Sequence, residues 1–314
     1  MFLTKNSRVF VPRSIHDRYK STLTKSSKIK PVINLAYVSY QTTESENETS
    51  KDSQHTPLIM IHGIFGSKGN YHSLCKRFHE STRPKKLVFA VDLRNHGDST
   101  HLPRNSYDDL VLDIVNFIYT MRLEKVAVIG HDMGGRVGML VALKYPDLVD
   151  KLIVTDVSPI STSNNFKAIP DVLRALKHLY LPKNLPPIQA KALVTNHLVR
   201  VMKEKGLMTF VLTNLVQSTD GSYTWRFNLR ALLENFDGLA SFPHLHNVNF
   251  QKPVLFIGGG KSDYIQKSDY PKILKLFPKA QLKYIEGAGH WVHSEKPNEF
   301  LKLTLDFLNR ASSA

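Results

Sequence analysis

Residues 126–135 read VAVIGHDMGG, a run of apolar residues that leads through small residues into a helical pattern. Gly130 and Gly134 flank Asp132 in this stretch. Glycines on both sides of a central residue are typical of a sharp turn between a strand and a helix, which strains the central residue and exposes its side chain. We therefore expect Asp132 to project into a functional site. The backbone N–H of Met133, at the start of the helix, is expected to favour an oxyanion.

Short apolar runs on both sides of this turn predict the remaining strands. They alternate with helical patterns, and a strand that is buried on both faces reads as a continuous apolar run. The predicted strands are residues 33–40, 58–61, 87–92, 126–130, 152–156, 254–258 and 282–285, and the predicted helices lie around 69–80, 107–121, 133–145, 268–277 and 295–310. This order predicts an α/β fold with a mainly parallel central sheet flanked by helices.

Between Ser158 and Phe250 the alternation of strands and helices stops. Amphipathic helical segments interrupted by prolines take its place, and strands resume at Val254. The pattern predicts a helical lid, at about residues 158–250, inserted into a single domain that spans residues 31–314.

The composition indicates a globular chain. The 314 residues are 42% hydrophobic and 22% charged, which suffices for one large domain with a substantial core. The formal net charge is +15, of which residues 1–30 contribute +7 because they hold eight lysines and arginines and one aspartate. The other basic residues are interspersed with acids, which argues against nucleic-acid binding, while a basic exterior suits an anionic membrane surface.

Residues 1–30 are also rich in serine and threonine, a composition typical of a mitochondrial transit peptide, and this predicts a matrix address. The alternative is a basic tail with no address, on a cytoplasmic protein. No apolar run approaches the ~20 residues of a membrane-spanning helix. The single cysteine, Cys75, excludes an intramolecular disulfide and suits a reducing compartment.

Two further motifs carry candidate site residues. Residues 62–66 read HGIFG, where the backbone N–H of Phe65 is predicted to be a second donor to an oxyanion. Residues 287–293 read GAGHWVH, and the small residues before His290 allow a loop to present its imidazole to the turn. His290 is the predicted general base, and His293 is the alternative. No spacing of ligands predicts a metal site and no glycine-rich loop predicts a nucleotide, so no cofactor is expected.

The order of elbow, acid and histidine resembles the α/β-hydrolase superfamily, and in particular its mitochondrial esterase and lipase branch, close to small bacterial acyl esterases. The similarity rests on residues 62–68, 92–99, 212–216 and 287–293, and it extends over roughly residues 55–310. It implies an α/β-hydrolase fold and the hydrolysis of acyl esters, with diacylglycerol-like lipids among the substrates.

The resemblance leaves two candidates for the acid that orients His290. Asp156 matches the position used by the bacterial esterases, at the end of a strand beside the elbow, and is the first choice. Asp263 follows the next strand, where the superfamily more often has its acid, and is the alternative. Arg230 occupies a lid position sometimes given to the acid, and an arginine cannot orient a histidine as a carboxylate does.

The chain departs from this family at Asp132, where the relatives carry serine. A carboxylate nucleophile suits an sp3 carbon with a good leaving group. With an ester as substrate, the same carboxylate either attacks the carbonyl carbon and forms a mixed anhydride, or acts as a base toward water. Met133 replaces the tryptophan that dehalogenases tend to have, and an epoxide hydrolase would need a lid tyrosine such as Tyr180 or Tyr223. The set of motifs favours ester hydrolysis. The alternatives are an epoxide-hydrolase-like or dehalogenase-like enzyme and a catalytically inactive binding module.

Overall fold

Seven strands form the central sheet in the part of the chain that the computed structural model describes, residues 31–41, 55–202 and 204–310. They are β1 (Tyr37–Tyr40), β2 (Leu58–Ile61), β3 (Val88–Val91), β4 (Val126–His131), β5 (Val149–Thr155), β8 (Val254–Gly259) and β9 (Ala280–Ile285); β6 (Leu215–Gln217) and β7 (Tyr223–Trp225) form a separate hairpin. The order across the sheet is β1-β3-β2-β4-β5-β8-β9, and of these seven described strands β1 is the one that runs antiparallel to its neighbour. The predicted, mainly parallel α/β sheet is confirmed.

Helices cover both faces of this sheet. They are α1 (His72–Ser81), α2 (Tyr107–Thr120), α3 (Met133–Lys144), α10 (Tyr270–Leu276), α11 (Val292–Glu295) and α12 (Pro297–Leu308). Consecutive strand residues point to opposite sides, and in β2 both sides are apolar and buried. Ile59 and Ile61 share a buried cluster with α2 and α3, whereas Leu58 and Met60 share one with α1 and α12. The final helix, predicted at 295–310, is α12 and begins at Pro297, while the short α11 before it was not predicted.

The register of the strands brings their carboxyl ends together. Ile61 at the end of β2 is paired with Gly130 of β4, and His131 at the end of β4 is paired with Thr155 at the end of β5. Thr155 is in turn paired with Ile257 of β8. The loops that follow β2, β4, β5 and β8 therefore leave the sheet side by side.

The chain between β5 and β8 forms an inserted segment, named the lid below after its prediction, that packs against these loops. Its helices are α4 (Asn164–Lys167), α5 (Ile169–Lys177), α6 (Pro187–Leu198), α7 (Lys205–Leu212), α8 (Leu229–Glu234) and α9 (Phe236–Ala240). Its buried side chains share an apolar cluster with Ile64, Phe65 and Tyr264. The β6–β7 hairpin differs from the predicted all-helical lid. Its turn contains Asp220 and Gly221, the latter at φ 80°, and Asp-Gly is a typical hairpin signal.

One buried side chain contacts both ends of the lid. Arg136 of α3 donates hydrogen bonds to the carbonyl oxygens of Ser158 and Ser161 where the lid begins, over 3.3 and 3.1 Å. It also donates to those of Leu239 and Ala240 where the lid ends, over 3.1 and 3.2 Å. A buried guanidinium requires acceptors for its N–H groups. These four bonds therefore fix both lid ends to the helix that follows Asp132.

The predicted transit peptide and the expected lack of a membrane-spanning helix concern the whole chain, of which the structure describes only part. Residues 1–30, with the predicted transit peptide, lie outside the described ranges. Across the ranges that are described, no helix combines the length and apolarity needed to cross a membrane. Cys75 is a free, buried residue of α1.

Candidate active site

The turn between β4 and α3 holds Asp132 at φ 51° and ψ −122°. A positive φ is uncommon for a non-glycine residue and persists only where the surrounding structure enforces it. A Cβ at Gly130 would overlap the carbonyl oxygen of Gly134, and a Cβ at Gly134 would overlap that of His62. Both glycines therefore permit the close backbone approach on which this sharp turn depends.

The carboxylate of Asp132 is held by a backbone N–H. Asp132 is only 2% exposed, and its Oδ2 accepts a hydrogen bond from Ile64 over 3.0 Å. Phe65, the donor predicted from the sequence, lies one residue further along, at φ 61°. Its carbonyl oxygen accepts from the side chain of Asn214 in the lid, over 2.8 Å. The HGIFG stretch therefore directs the N–H of Ile64 at the elbow residue, and Phe65 contacts the lid.

A second backbone donor is available at Met133, the first residue of α3. The first N–H groups of a helix have no intrahelical acceptor, and the helix dipole places positive potential there. Met133 is fully buried, so these groups lie in a poorly solvated region. Ile64 and Met133 thus give the turn two candidate donors for a negatively charged oxygen.

His290 forms the second part of the site and is hydrogen-bonded to Asp156. Its Nδ1 lies 2.8 Å from Oδ2 of Asp156, which leaves Nε2 as the nitrogen that can exchange a proton with a substrate or water. The imidazole stacks on the ring of Tyr264, with centroids 3.7 Å apart. Nε2 of His131 also lies 3.0 Å from the carbonyl oxygen of His290. These contacts fix both the ring and the backbone of His290.

The pKa of His290 reflects opposing effects. Burial lowers it, but the hydrogen bond and charge of Asp156, together with the charges of Asp132 and Glu204, outweigh burial and raise the pKa above its ordinary value of 6.5. Burial raises the pKa of Glu204 in the lid, although the charge of His290 opposes this shift. His290 is therefore placed among acidic groups that favour its protonated form.

Asp156 is fully buried and anchored on both of its oxygens. Oδ1 accepts from the N–H of Gly259 over 2.9 Å, and Oδ2 accepts from the hydroxyl of Ser262 over 2.5 Å as well as from His290. The other candidate acid, Asp263, forms its hydrogen bonds with residues of the lid. It accepts from the hydroxyl of Ser163 over 2.7 Å and from the N–H of Asn164, at the start of α4. The structure therefore brings Asp156 to His290 and Asp263 to the lid.

Glu295 holds the loop that carries His290, a contact that no sequence pattern indicated. Its two carboxylate oxygens accept from the N–H of Gly289 over 2.8 Å and from the N–H of Trp291 over 3.2 Å. These are the residues immediately before and after His290. A side chain that accepts from the N–H groups on both sides of a residue restricts the conformation of the loop. Glu295 therefore positions the imidazole of His290 without touching it.

The remaining candidates from the sequence make other contacts in the structure. The ring of His293 is buried between those of Tyr71 and His131, with centroids 5.1 and 4.8 Å away. Tyr180 is 80% exposed, and the hydroxyl of Tyr223 donates to the carbonyl oxygen of Leu185 over 2.7 Å. Neither lid tyrosine has the contact with the site that the epoxide-hydrolase alternative needs, whereas Tyr264 stacks on His290.

The histidine, cysteine and carboxylate side chains of the described ranges were the candidate ligands for a metal ion. No group of three or more of them lies in a position to hold a metal ion.

The class of protein follows from the sheet, the elbow turn and the His290–Asp156 pair. Residues 58–303 match the model of the alpha/beta hydrolase family, and the chain belongs to that family. Esterases and lipases are prominent among its relatives, and ester hydrolysis is the activity that these relatives support.

Three relatives illustrate how far the similarity extends. The sn-1-specific diacylglycerol lipase ABHD11 of Danio rerio is 39% identical over 255 residues, which cover 81% of this chain and 78% of that protein. Esterase YbfF of Escherichia coli is 30% identical over 86% of this chain and 97% of that one. A solved structure, a marine microorganism esterase, superimposes with a TM-score of 0.77 at 33% identity and covers 88% of this chain and 99% of its own.

Proposed function

We propose that this chain hydrolyses acyl esters, including lipid esters of the diacylglycerol type, with His290 as the general base and Asp156 as the residue that orients it. The observation that carries the proposal is the 2.8 Å hydrogen bond between these two residues at the carboxyl end of the sheet, where Asp132 also lies. The carboxylate fixes the imidazole and stabilises its protonated form while Nε2 takes up a proton.

The proposed reaction uses water as the nucleophile. Nε2 of His290 takes a proton from water, the hydroxide adds to the ester carbonyl carbon, and the carbonyl oxygen becomes an oxyanion beside the N–H of Met133. The tetrahedral intermediate then expels the alkoxide, which receives the proton from His290. The products are a carboxylic acid and an alcohol, and His290 returns to its neutral form.

In this proposal Asp132 accepts a hydrogen bond from the attacking water and does not itself attack the ester carbon. Attack of its carboxylate on an ester would give a mixed anhydride, which is a high-energy intermediate. Oδ2 is held by Ile64, and Oδ1 is the oxygen that we assign to a hydrogen bond with the attacking water. The negative charge of Asp132 also raises the pKa of His290, which makes it a stronger base.

The lid supports a substrate with an apolar acyl part. Its inner side presents buried apolar side chains to Ile64 and Phe65, next to the elbow. Apolar walls with a few convergent polar groups are typical of sites for small apolar ligands. A relative named as a diacylglycerol lipase is consistent with this choice of substrate.

The test is turnover by the full chain on p-nitrophenyl butyrate and on a diacylglycerol emulsion, with His290→Ala as the variant and Asp263→Asn as the matched control. We expect His290→Ala to abolish hydrolysis of both substrates while its thermal unfolding stays close to that of the parent. Retained activity in His290→Ala would overturn the proposal. An inert parent protein would instead favour the binding-module alternative.

A second candidate function is favoured by the hydrogen bond from Ile64 to Oδ2 of Asp132. A carboxylate anchored through one oxygen can attack with the other. In an epoxide, such an attack would form a C–O bond to the sp3 carbon and break the ring C–O bond, and the resulting alkoxide would take a proton from water. Water activated by His290 would then cleave the alkyl ester of Asp132.

The epoxide-hydrolase candidate predicts a covalent intermediate that can be detected by its mass. With His290→Ala and styrene oxide, the alkyl ester on Asp132 would accumulate and add the mass of the epoxide to the intact protein. An unchanged mass in His290→Ala, together with ester turnover in the parent, excludes the second candidate and retains the first.

A further inference from the structure

The outer surface of the lid carries a concentration of exposed apolar side chains. Seven large apolar residues are well exposed among the described residues, and five of them fall between positions 180 and 201: Tyr180, Ile188, Leu193, Val199 and Val201. Tyr180, Ile188 and Val199 are the most exposed, at 80%, 79% and 61%. Single exposed apolar residues are ordinary, but several in one segment indicate an interaction surface.

Helix α6 is apolar on two sides. Ala190, Val194 and Leu198 are buried on its inner side. Ile188 and Val199 are separated by about three turns, so they project in nearly the same direction, and both are exposed. A helix that is buried on one side and apolar on the opposite, exposed side has a second surface available for contact with an apolar medium.

A basic groove lies in the same segment of the lid, beside Val201. It has a volume of about 630 Å³ and is lined by Arg174, which is ion-paired with Asp171 over 2.7 Å, by Arg200 and by the imidazoles of His178 and His197. Val201 contributes to the same lining. Residues 160–200 contain six lysines and arginines against a single aspartate, so this segment carries a formal net charge of +5.

We propose that this surface, the lid platform formed by Tyr180, Ile188, Val199, Val201 and the basic groove, binds an anionic phospholipid bilayer. The groove contacts headgroup phosphates, for which arginine is well suited, and the apolar side chains insert among the acyl chains. Charge complementarity selects this occupant, because a positive groove beside protruding apolar residues matches the anionic headgroups above a hydrocarbon layer.

The proposal rests on the proposed function, because a lipid ester substrate would reside in such a bilayer. The inner side of the same lid shares its apolar cluster with Ile64, Phe65 and Tyr264, close to the elbow and His290. Docking of the lid platform would therefore place the membrane directly against the layer that covers the site.

The test is sedimentation of the full chain with vesicles of phosphatidylcholine alone or of phosphatidylcholine mixed with phosphatidylserine. Two double variants probe the surface: Arg174→Glu with Arg200→Glu, and Tyr180→Ser with Val199→Ser. We expect the parent to prefer the anionic vesicles. Charge reversal should lower its partition coefficient by about tenfold or more, and removal of the apolar side chains should lower it by about tenfold.

The control is Lys272→Glu with Lys283→Glu, which makes the same change of charge on exposed residues outside the lid. The basic residues of 1–30 are present in every variant, so their contribution is common to all. The proposal is overturned if the lid variants bind vesicles as the parent does, or if the control loses as much binding as they do. It is also overturned if the lid variants change only the oligomeric state, which would make the surface a contact with a second copy or another protein.

Failure of this proposal is distinguishable from failure of the proposed function. Hydrolysis of the soluble p-nitrophenyl butyrate measures the site alone, and we expect the lid variants to retain it. Vesicle binding measures the lid platform alone, since it requires no turnover. A parent that binds anionic vesicles without cleaving either ester would retain the platform and overturn the ester hydrolase.

Discussion

The backbone N–H of Ile64 donates a hydrogen bond to Oδ2 of Asp132 over 3.0 Å. The carboxylate therefore takes up one of the two backbone donors at the turn, the other being that of Met133. A Cβ at Gly63 would lie only 2.7 Å from the same oxygen, so the backbone at Gly63 has no room for a side chain beside the carboxylate. A shorter side chain at position 132 would release the N–H of Ile64 for a substrate oxygen.

Asp132→Ser is expected to increase ester hydrolysis. The serine hydroxyl is the nucleophile that the resemblance to serine-bearing relatives implies, and the released donor can stabilise the oxyanion. One oxyanion donor typically contributes about 10²–10³ in rate, so kcat on p-nitrophenyl butyrate should rise by about that factor. Asp132→Ala is the control, because it releases the donor without supplying a nucleophile. Equal activity in the serine and alanine variants would show that position 132 does not attack the ester.

Asp156→Asn is expected to lower kcat far more than Asp263→Asn. An asparagine cannot stabilise the imidazolium and can select the wrong tautomer of His290, an effect of about 10⁴ in comparable triads. Asp263 bonds Ser163 and Asn164 in the lid, so its replacement should leave kcat within about tenfold of the parent. Thermal unfolding of both variants separates catalysis from folding. The reverse ranking would identify Asp263 as the acid.

The pH dependence of kcat/KM follows from the raised pKa of His290. Only neutral His290 accepts a proton, so activity should rise with pH through an inflection above 6.5. Asp132→Ser removes a negative charge that raises this pKa, so the inflection should move to lower pH. The measurement is a kcat/KM profile for both proteins on the soluble ester. An unmoved inflection would mean that Asp132 and His290 are not coupled.

Glu295→Ala is expected to lower kcat by between about tenfold and a hundredfold, because small displacements of a catalytic group are costly. Glu295→Gln keeps an acceptor for the N–H groups of Gly289 and Trp291 and should recover most of the loss. KM should change little in either variant. A loss that glutamine does not recover would indicate that the charge of Glu295, rather than its hold on the loop, is what matters.

The sheet was predictable because its central strands are buried on both faces and leave uninterrupted apolar runs in the sequence. The β6–β7 hairpin was not predicted, since three-residue strands leave little periodicity, although Asp220-Gly221 was a usable turn signal. The first strand begins later than its alternating pattern indicated, at Tyr37. Pairing with a neighbour, which a local pattern does not contain, decides where such a strand begins.

At the site, the sequence marked separate segments, and the contacts between them depend on the three-dimensional arrangement. Asp156 and Asp263 follow neighbouring strands, and only the three-dimensional arrangement shows that the first reaches His290. Phe65 was predicted as a donor to an oxyanion and stays a prediction, whereas the N–H that the structure directs at Asp132 is that of Ile64, one residue earlier. Glu295 and Tyr264 were missed since their contacts with the His290 loop have no motif.

The hydrogen bonds of Arg136 to both ends of the lid allow the lid to vary in sequence and length. Because the lid leaves and re-enters the domain within reach of one guanidinium, the segment between is a loop with closely spaced ends. Such a segment can be lengthened, shortened or exchanged without moving a strand of the sheet or the turn at Asp132. Substrate preference can then evolve in the lid as an exchangeable module, while the chemistry below it stays fixed.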